Sequence, residues 1–173
     1  LILIGLALAE PIISGLRSLG GGSRLVVMVI DDGLISGINN SSGESDLASS
    51  VKDGQLVLEE LSPGDRVVLV SAAYPARMLT DGPTVNHEAV KRLLDGMRPE
   101  AGATDITGGL SIAESAVREH AADAPTSIVL LGQWREGSLA SISGEKLFGS
   151  GSEEIAWQEE RPVQLLATLP TDV

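Results

Sequence analysis

Two kinds of apolar pattern alternate along the chain. LVVMVI (Leu25–Ile30), the middle of DRVVLVS (Asp65–Ser71) and, after its opening serine, SIVLL (Ser127–Leu131) are short runs that stay apolar at every position. Runs of this length without alternation are what strands buried on both faces of a parallel sheet require. They predict strands over Leu25–Asp31, Asp65–Ser71 and Ser127–Leu131, and a last one over Val163–Leu169 after Pro162. ARMLTDG (Ala76–Gly82), set off by Tyr74-Pro75, predicts a short antiparallel edge strand.

The second pattern recurs at helical spacing. Leu47, Val51, Gly54, Leu58 and Leu61 share one face of a helix from about Ser45 to Leu61, ended by Ser62-Pro63-Gly64. Asn86 caps a helix bearing Val85, Ala89, Val90, Leu93, Leu94 and Met97. Arg98–Ala103 is a loop. Thr104–Leu110 opens a third helix with Ile106, Leu110, Ala113 and Val117 inward, and Thr104, Asp105 and Thr107 are all competent caps. The polar stretch Gly37–Gly43 is a loop, Trp134–Gly151 is irregular and rich in glycine, and Ser152–Glu160 is predicted helical. The order β-α-β-β-α-α-β-α-β predicts an α/β fold, a doubly wound, mostly parallel sheet with one short antiparallel edge strand.

The first 23 residues follow neither pattern. Leu1–Ala9 is apolar all round, yet nine helical residues span only about 13 Å, less than half of a hydrocarbon core. Glu10-Pro11 stands where a signal peptide would need small residues. Two readings of Leu1–Ala9 remain, the tail of a membrane helix or a short helix or strand packed on the domain. The first is preferred, so residues 1–23 are read as the end of a membrane helix followed by a glycine-rich juxtamembrane linker from Ile12 to Ser23, and residues 24–173 as one folded domain. The full protein is expected at a membrane, on a side the sequence does not specify.

Composition narrows the chemistry. Of 173 residues, aromatics make up 2%, so the core is aliphatic and the composition argues against base-stacking platforms. A formal net charge of −12 repels phosphate backbones, so no nucleic-acid partner is expected. The chain has no cysteine, which removes thiolate metal sites and cysteine nucleophiles. His87 falls in a helix start and His120 near a helix end, and both are expected to be solvated.

The candidate chemistry lies at Asp31. An acid at the carboxyl end of a central parallel strand occupies the place where ligands bind in open α/β sheets. Three segments converge on that edge: Asp31–Ser36, Thr104–Thr107 and Gly132–Arg135. Read from the residues alone, Asp31 accepts amide bonds from its own loop, Thr104 caps a helix and Gln133 bridges loops.

The order VVMVIDDGLIS, GATDITGGL, IVLLGQWREGSL resembles a von Willebrand factor type A (vWA) domain, of the membrane-anchored bacterial kind similar to Bat aerotolerance proteins. The resemblance covers Arg24 to Leu169. It implies a Rossmann-like three-layer sandwich and a metal-ion-dependent adhesion site built from Asp-x-Ser-x-Ser, a threonine and a final aspartate. On this chain those positions are Asp31, Gly33, Ile35, Thr104 and Gln133, so two of five match. A register slip to Asp32, Leu34 and Ser36 recovers one serine. Magnesium wants near-octahedral oxygen coordination, which glycine and isoleucine cannot supply. The resemblance thus implies a degenerate metal site at Asp31 and Thr104, where Mg or Mn would bind weakly, and no cofactor. Such sheets also carry one more strand and helix after the position of Leu169, so the domain is expected to be cut short at that end.

Enzyme patterns fit poorly. A receiver needs a phosphoacceptor after its third strand and a lysine after its fifth. A haloacid-dehalogenase-type phosphatase needs an acid where Gly33 stands. No glycine-rich phosphate loop joins a strand to a helix, and G-x-S-x-G is missing at Ser36. The reading is a non-enzymatic protein–protein interaction or assembly module, its partner-binding face made of Asp31, Asp32, Ser36, Thr104, Asp105 and Gln133. A metal-dependent adhesion domain, and a hydrolase or phosphoryl-transfer enzyme at the same edge, are the alternatives.

Overall fold

The computed structural model describes residues 23–39, 43–122, 124–132 and the backbone of 163–167. The expected elements at Leu1–Gly22, Trp134–Gly151 and Ser152–Glu160, and Gln133, lie outside the described residues.

Five strands form one sheet: β1 (Leu25–Ile30), β2 (Arg66–Ser71), β3 (Arg77–Met78), β4 (Thr126–Leu131) and β5 (Val163–Ala167), in the order β3-β2-β1-β4-β5. Only β3 is antiparallel to its neighbour. β1 lies at the centre, with β2 and β4 on either side of it in matched register. That is why its six residues are all buried and why no polar residue interrupts them. The chain order reverses across β1, and the switch point of such a sheet opens at the strands' carboxyl ends.

The pleat divides the core in two. Leu25, Val27 and Val29 face one way, with Val68, Val70 and Ala72, against helix α3 (Ile106–His120). Val26, Met28 and Ile30 face the other, with Val67 and Leu69, against α1 (Asp46–Glu59) and α2 (His87–Gly96). Each fully buried aliphatic side chain contributes about 1.5–3 kcal/mol. Ser45, Asn86 and Asp105 cap the three helices through the amides of Ala48, Ala89 and Gly108. Gly109 of α3 lets the helix lie close on the sheet, since a Cβ there would stand 2.9 Å from Val29 Cγ1.

Four details differ from the sequence pattern. β1 ends at Ile30, because the Asp31 side chain turns back to its own loop. The edge strand is two residues long: past Met78 one more backbone bond forms, from Leu79 N–H to the Leu69 carbonyl at 2.8 Å, and then a side chain takes over, Leu69 N–H donating to the Thr80 hydroxyl at 3.3 Å. Val85 and Leu93 are exposed and do not join the inward face of α2. His87 is half-buried, its Nε2 2.8 Å from the Asp65 carbonyl, so it is a structural contact and not a free surface imidazole.

The amino ends of β1 and β2 are joined by a buried ion pair that the sequence reading missed. Arg24 and Asp65 precede partners in the ladder, Leu25 and Arg66. The Arg24 guanidinium donates to Asp65 Oδ2 at 2.8 and 3.2 Å, and the Arg24 amide to Oδ1 at 2.9 Å. Burial pushes the Asp65 carboxyl up, but the Arg24 guanidinium with the Arg24 and Ser62 amides outweighs it and holds the carboxyl below its ordinary range. Asp65→Ala strands the buried guanidinium, so urea unfolding is expected to show a loss of about 3–5 kcal/mol. A loss under about 1 kcal/mol would mean the pair is effectively solvated.

Candidate functional site

Two consecutive acids leave β1 and do different things. The Asp31 amide extends the ladder by one bond, donating to the Leu131 carbonyl at 2.8 Å. Its side chain follows the pleat toward the α3 side. There Asp31 Oδ1 accepts from the Gly33 amide at 3.0 Å and from the Thr104 hydroxyl at 2.8 Å. Asp31 is half-buried and Thr104 exposed, so this pair reaches the surface. The loops holding residues 31 and 104 therefore meet, as the convergence argument requires.

Asp32 points inward and is 2% exposed. Both its carboxylate oxygens lie within hydrogen-bond distance of the Ser71 hydroxyl, at 2.7 and 2.8 Å, and Oδ1 also accepts from the Ala73 amide at 2.9 Å. Its carbonyl accepts from the Glu100 amide at 2.8 Å. One residue thus ties the end of β1 to the end of β2 and to the 98–103 loop. Burial pushes the Asp32 carboxyl above its ordinary value. The Ser71 and Ala73 bonds oppose that, and the nearby Glu100 charge adds to it.

The remaining expected residues divide similarly. Ser36 is buried, its hydroxyl donating to the Gly33 carbonyl at 2.7 Å inside the 3-10 turn Leu34–Gly37. Asp105, and not Thr104, caps α3, accepting from the Gly108 amide at 2.9 Å. Asp32 and Ser36 were expected on the partner-binding face. Their burial corrects that: their side chains build the loop and do not reach a partner.

Apolar side chains occupy the surface instead. Leu34, Ile35 and Ile38 are 60%, 56% and 59% exposed, and Tyr74 is 69% exposed. Their loops are stitched together, Leu34 N–H donating to the Gly102 carbonyl at 2.9 Å and Tyr74 N–H to the Ala103 carbonyl at 2.8 Å. The Arg77 guanidinium forks onto the Glu100 carboxylate beside them, one arm at 2.9 Å. The result is a strand-end rim with Asp31 and Thr104 at its surface and four large apolar side chains on its loops.

The family model of the von Willebrand factor type A domain matches residues 26–132, from the first residues of β1 to the end of β4. The chain belongs to that family. Among solved structures, the vWA fold of this chain is similar to an aerotolerance-related membrane protein from Bacteroides fragilis, with 17% identity, a TM-score of 0.61, and coverage of 84% of this chain and 67% of that one. It is similar to the three N-terminal domains of the type V pili tip protein Mfa5 from Porphyromonas gingivalis, with 25% identity, a TM-score of 0.54, and coverage of 62% and 19%. A D319A mutant of the PilB minor pilin from Streptococcus sanguinis shares 16% identity at a TM-score of 0.56, over 65% and 30% of the two chains. The chain thus spans under a third of either pilus protein. No curated relative matches it in sequence.

The vWA metal pattern can be tested on the donors present. Asp31 offers a carboxylate. The Thr104 hydroxyl is already donating to it. Gly33 and Ile35 have no side-chain oxygen, Asp32 is committed to Ser71 and Ala73, and Asp105 to its cap. Among the described residues no group of three His, Cys, Asp or Glu side chains is placed to hold a metal ion. Of the four described pattern positions, Asp31 and Thr104 carry side-chain oxygens and Gly33 and Ile35 do not.

The rim residues missed from sequence were Leu34, Ile35 (named only as a position without an oxygen), Ile38 and Tyr74, together with the structural role of Asp32. The available signal was Ser71, a hydroxyl closing an otherwise apolar strand beside the paired acids.

Asp32 carries a pH signature. A carboxyl raised in the folded state contributes stability that is fully present below its unfolded value, near 3.8, and lost as pH rises through the folded value. Asp65, held low, behaves oppositely and loses its contribution in acid. The comparison that isolates Asp32 is wild type against Asp32→Asn. As pH falls from neutral toward 3.8, wild-type unfolding free energy is expected to rise relative to the variant's. Parallel pH curves would show that Asp32 is not raised.

Proposed function

We propose that this vWA domain is a non-enzymatic protein-interaction or assembly module, tethered to a membrane, that grips its partner with the strand-end rim. The observation that carries the reading is the apolar surface on loops that buried polar bonds hold in place. Leu34, Ile35, Ile38 and Tyr74 stay exposed while Asp32 and Ser36 are spent on fixing the loops beneath them. Exposed apolar patches with a polar border mark interaction surfaces. Asp31 and Thr104 supply that border.

Other features favour binding over catalysis. The described neighbours of the Asp31 carboxylate are an amide and a hydroxyl, with no base beside it. His87 belongs to the opposite end of the strands, bound to the Asp65 carbonyl. One structural relative is a type V pili tip protein, and the binding role proposed for this domain is in keeping with that likeness. The tether is inferred from the apolar Leu1–Ala9 and the glycine-rich residues after it. Among the described residues no helix is long and apolar enough to cross a membrane.

The test places a photo-crosslinking residue at Leu34 or Ile35, and as controls at Leu56 or Leu93 on the helical side, in the full-length protein in its own membranes. Crosslinks to a protein partner are expected from positions 34 and 35 and not from the controls. Leu34→Asp and Ile35→Asp should then weaken that purified partner by about 10-fold to 100-fold each. Both positions are exposed, so the unfolding midpoint should stay put. Crosslinks confined to the helical side, or affinity unchanged by both substitutions, would contradict the proposal.

A further inference from the structure

We infer that in this chain the Thr104–Asp31 hydrogen bond does the joining that a cation does at a metal-dependent vWA site, so that the rim is assembled without divalent metal. This deepens the partner-binding reading of the same face and rests on it. A metal bound by the family pattern draws ligands from separate loops and so holds those loops together. Here the loop after β1 and the loop before α3 are held by the chain's own bonds. The Thr104 hydroxyl donates to the Asp31 carboxylate at 2.8 Å, and the Leu34 amide to the Gly102 carbonyl at 2.9 Å. A hydroxyl–carboxylate bond is charge-assisted and among the stronger single contacts available.

Gly33 is what permits the approach. A Cβ at that position would stand 3.0 Å from both the amide nitrogen and the hydroxyl of Thr104, and 3.2 Å from Asp31 Oδ1. A serine there, as the family pattern has it, would press the two loops apart by tenths of an ångström. Glycine therefore has two effects with one cause: it removes an oxygen donor and lets threonine close directly on the acid. Ile35, at the second serine position, is more than half exposed and turned to solvent. The missing oxygens are replaced by an apolar contact surface.

Amide hydrogen exchange and manganese broadening in the NMR spectrum of the full chain test this. Exchange at the Leu34 amide is expected to be the same in EDTA and in millimolar MgCl2. Thr104→Val should speed it about tenfold or more, because the bond that anchors the loop is gone. Thr104→Ser, which keeps the hydroxyl, should restore protection. Asp31→Asn keeps an acceptor but would destroy a cation site, and it should speed exchange less than Thr104→Val does. Low MnCl2 should leave the Gly33 and Thr104 signals sharp. Magnesium-dependent protection at Leu34, or selective manganese broadening of Gly33 and Thr104, would overturn the inference. So would unchanged Leu34 exchange in Thr104→Val. None of these results bears on where a protein partner crosslinks, so the two proposals can fail separately.

Discussion

The end of the central strand carries two adjacent carboxylates, and everything at the functional edge depends on their pointing opposite ways. Asp32 goes into the protein, where the Ser71 hydroxyl and the Ala73 amide receive it. Asp31 goes out, to Gly33 and Thr104. A strand places successive side chains on opposite faces, so a pair of acids at its tip necessarily serves two sides of the sheet. The inward acid fixes β1 to β2 and to the 98–103 loop at the cost of desolvating a charge. The outward acid fixes the same strand to the start of α3. Between them they hold three loops in one arrangement.

That arrangement has a counterpart at the other end of the strands. Arg24 and Asp65 close the amino ends of β1 and β2 with a buried, hydrogen-bonded ion pair. The aliphatic core between the two ends supplies the bulk of the stability but has no directional content. Polar groups at the strand tips set where the loops go. A rim built this way can leave Leu34 and Tyr74 in water without collapsing them into the core, because their backbones are already bonded to the neighbouring loop, while the Ile35 carbonyl is held within its own turn by the Ile38 amide. An apolar surface on a rigid support loses little conformational freedom when a partner covers it.

Much of this was readable in the chain itself. LVVMVI and SIVLL could hardly be anything but doubly buried strands, and the inward face of α3, Ile106, Leu110, Ala113 and Val117, is buried in full. The vWA family was legible because its loops follow strands in a fixed order. Less legible was which of two neighbouring acids turns inward. Asp31 and Asp32 are the same residue in sequence, and only the Ser71 hydroxyl across the ladder separates them. Burial of Ser36 was hidden for the same reason, since a serine in a polar loop gives no sign that it will fold under its own turn. The Arg24–Asp65 pair needed the β1–β2 register, because 41 residues separate its members. The edge strand was overestimated because past Leu79 the next bond to β2 comes from the Thr80 hydroxyl and not from backbone.

The claim on which the account of how the rim is assembled turns is that residues 31 and 104 are bonded directly to each other. A double-mutant cycle on unfolding free energy, with Asp31→Ala and Thr104→Val singly and together, measures that coupling. The account predicts an interaction energy of about 1–2 kcal/mol, equal in EDTA and in magnesium. Effects that add within about 0.3 kcal/mol, or a coupling that appears only when magnesium is present, would contradict it.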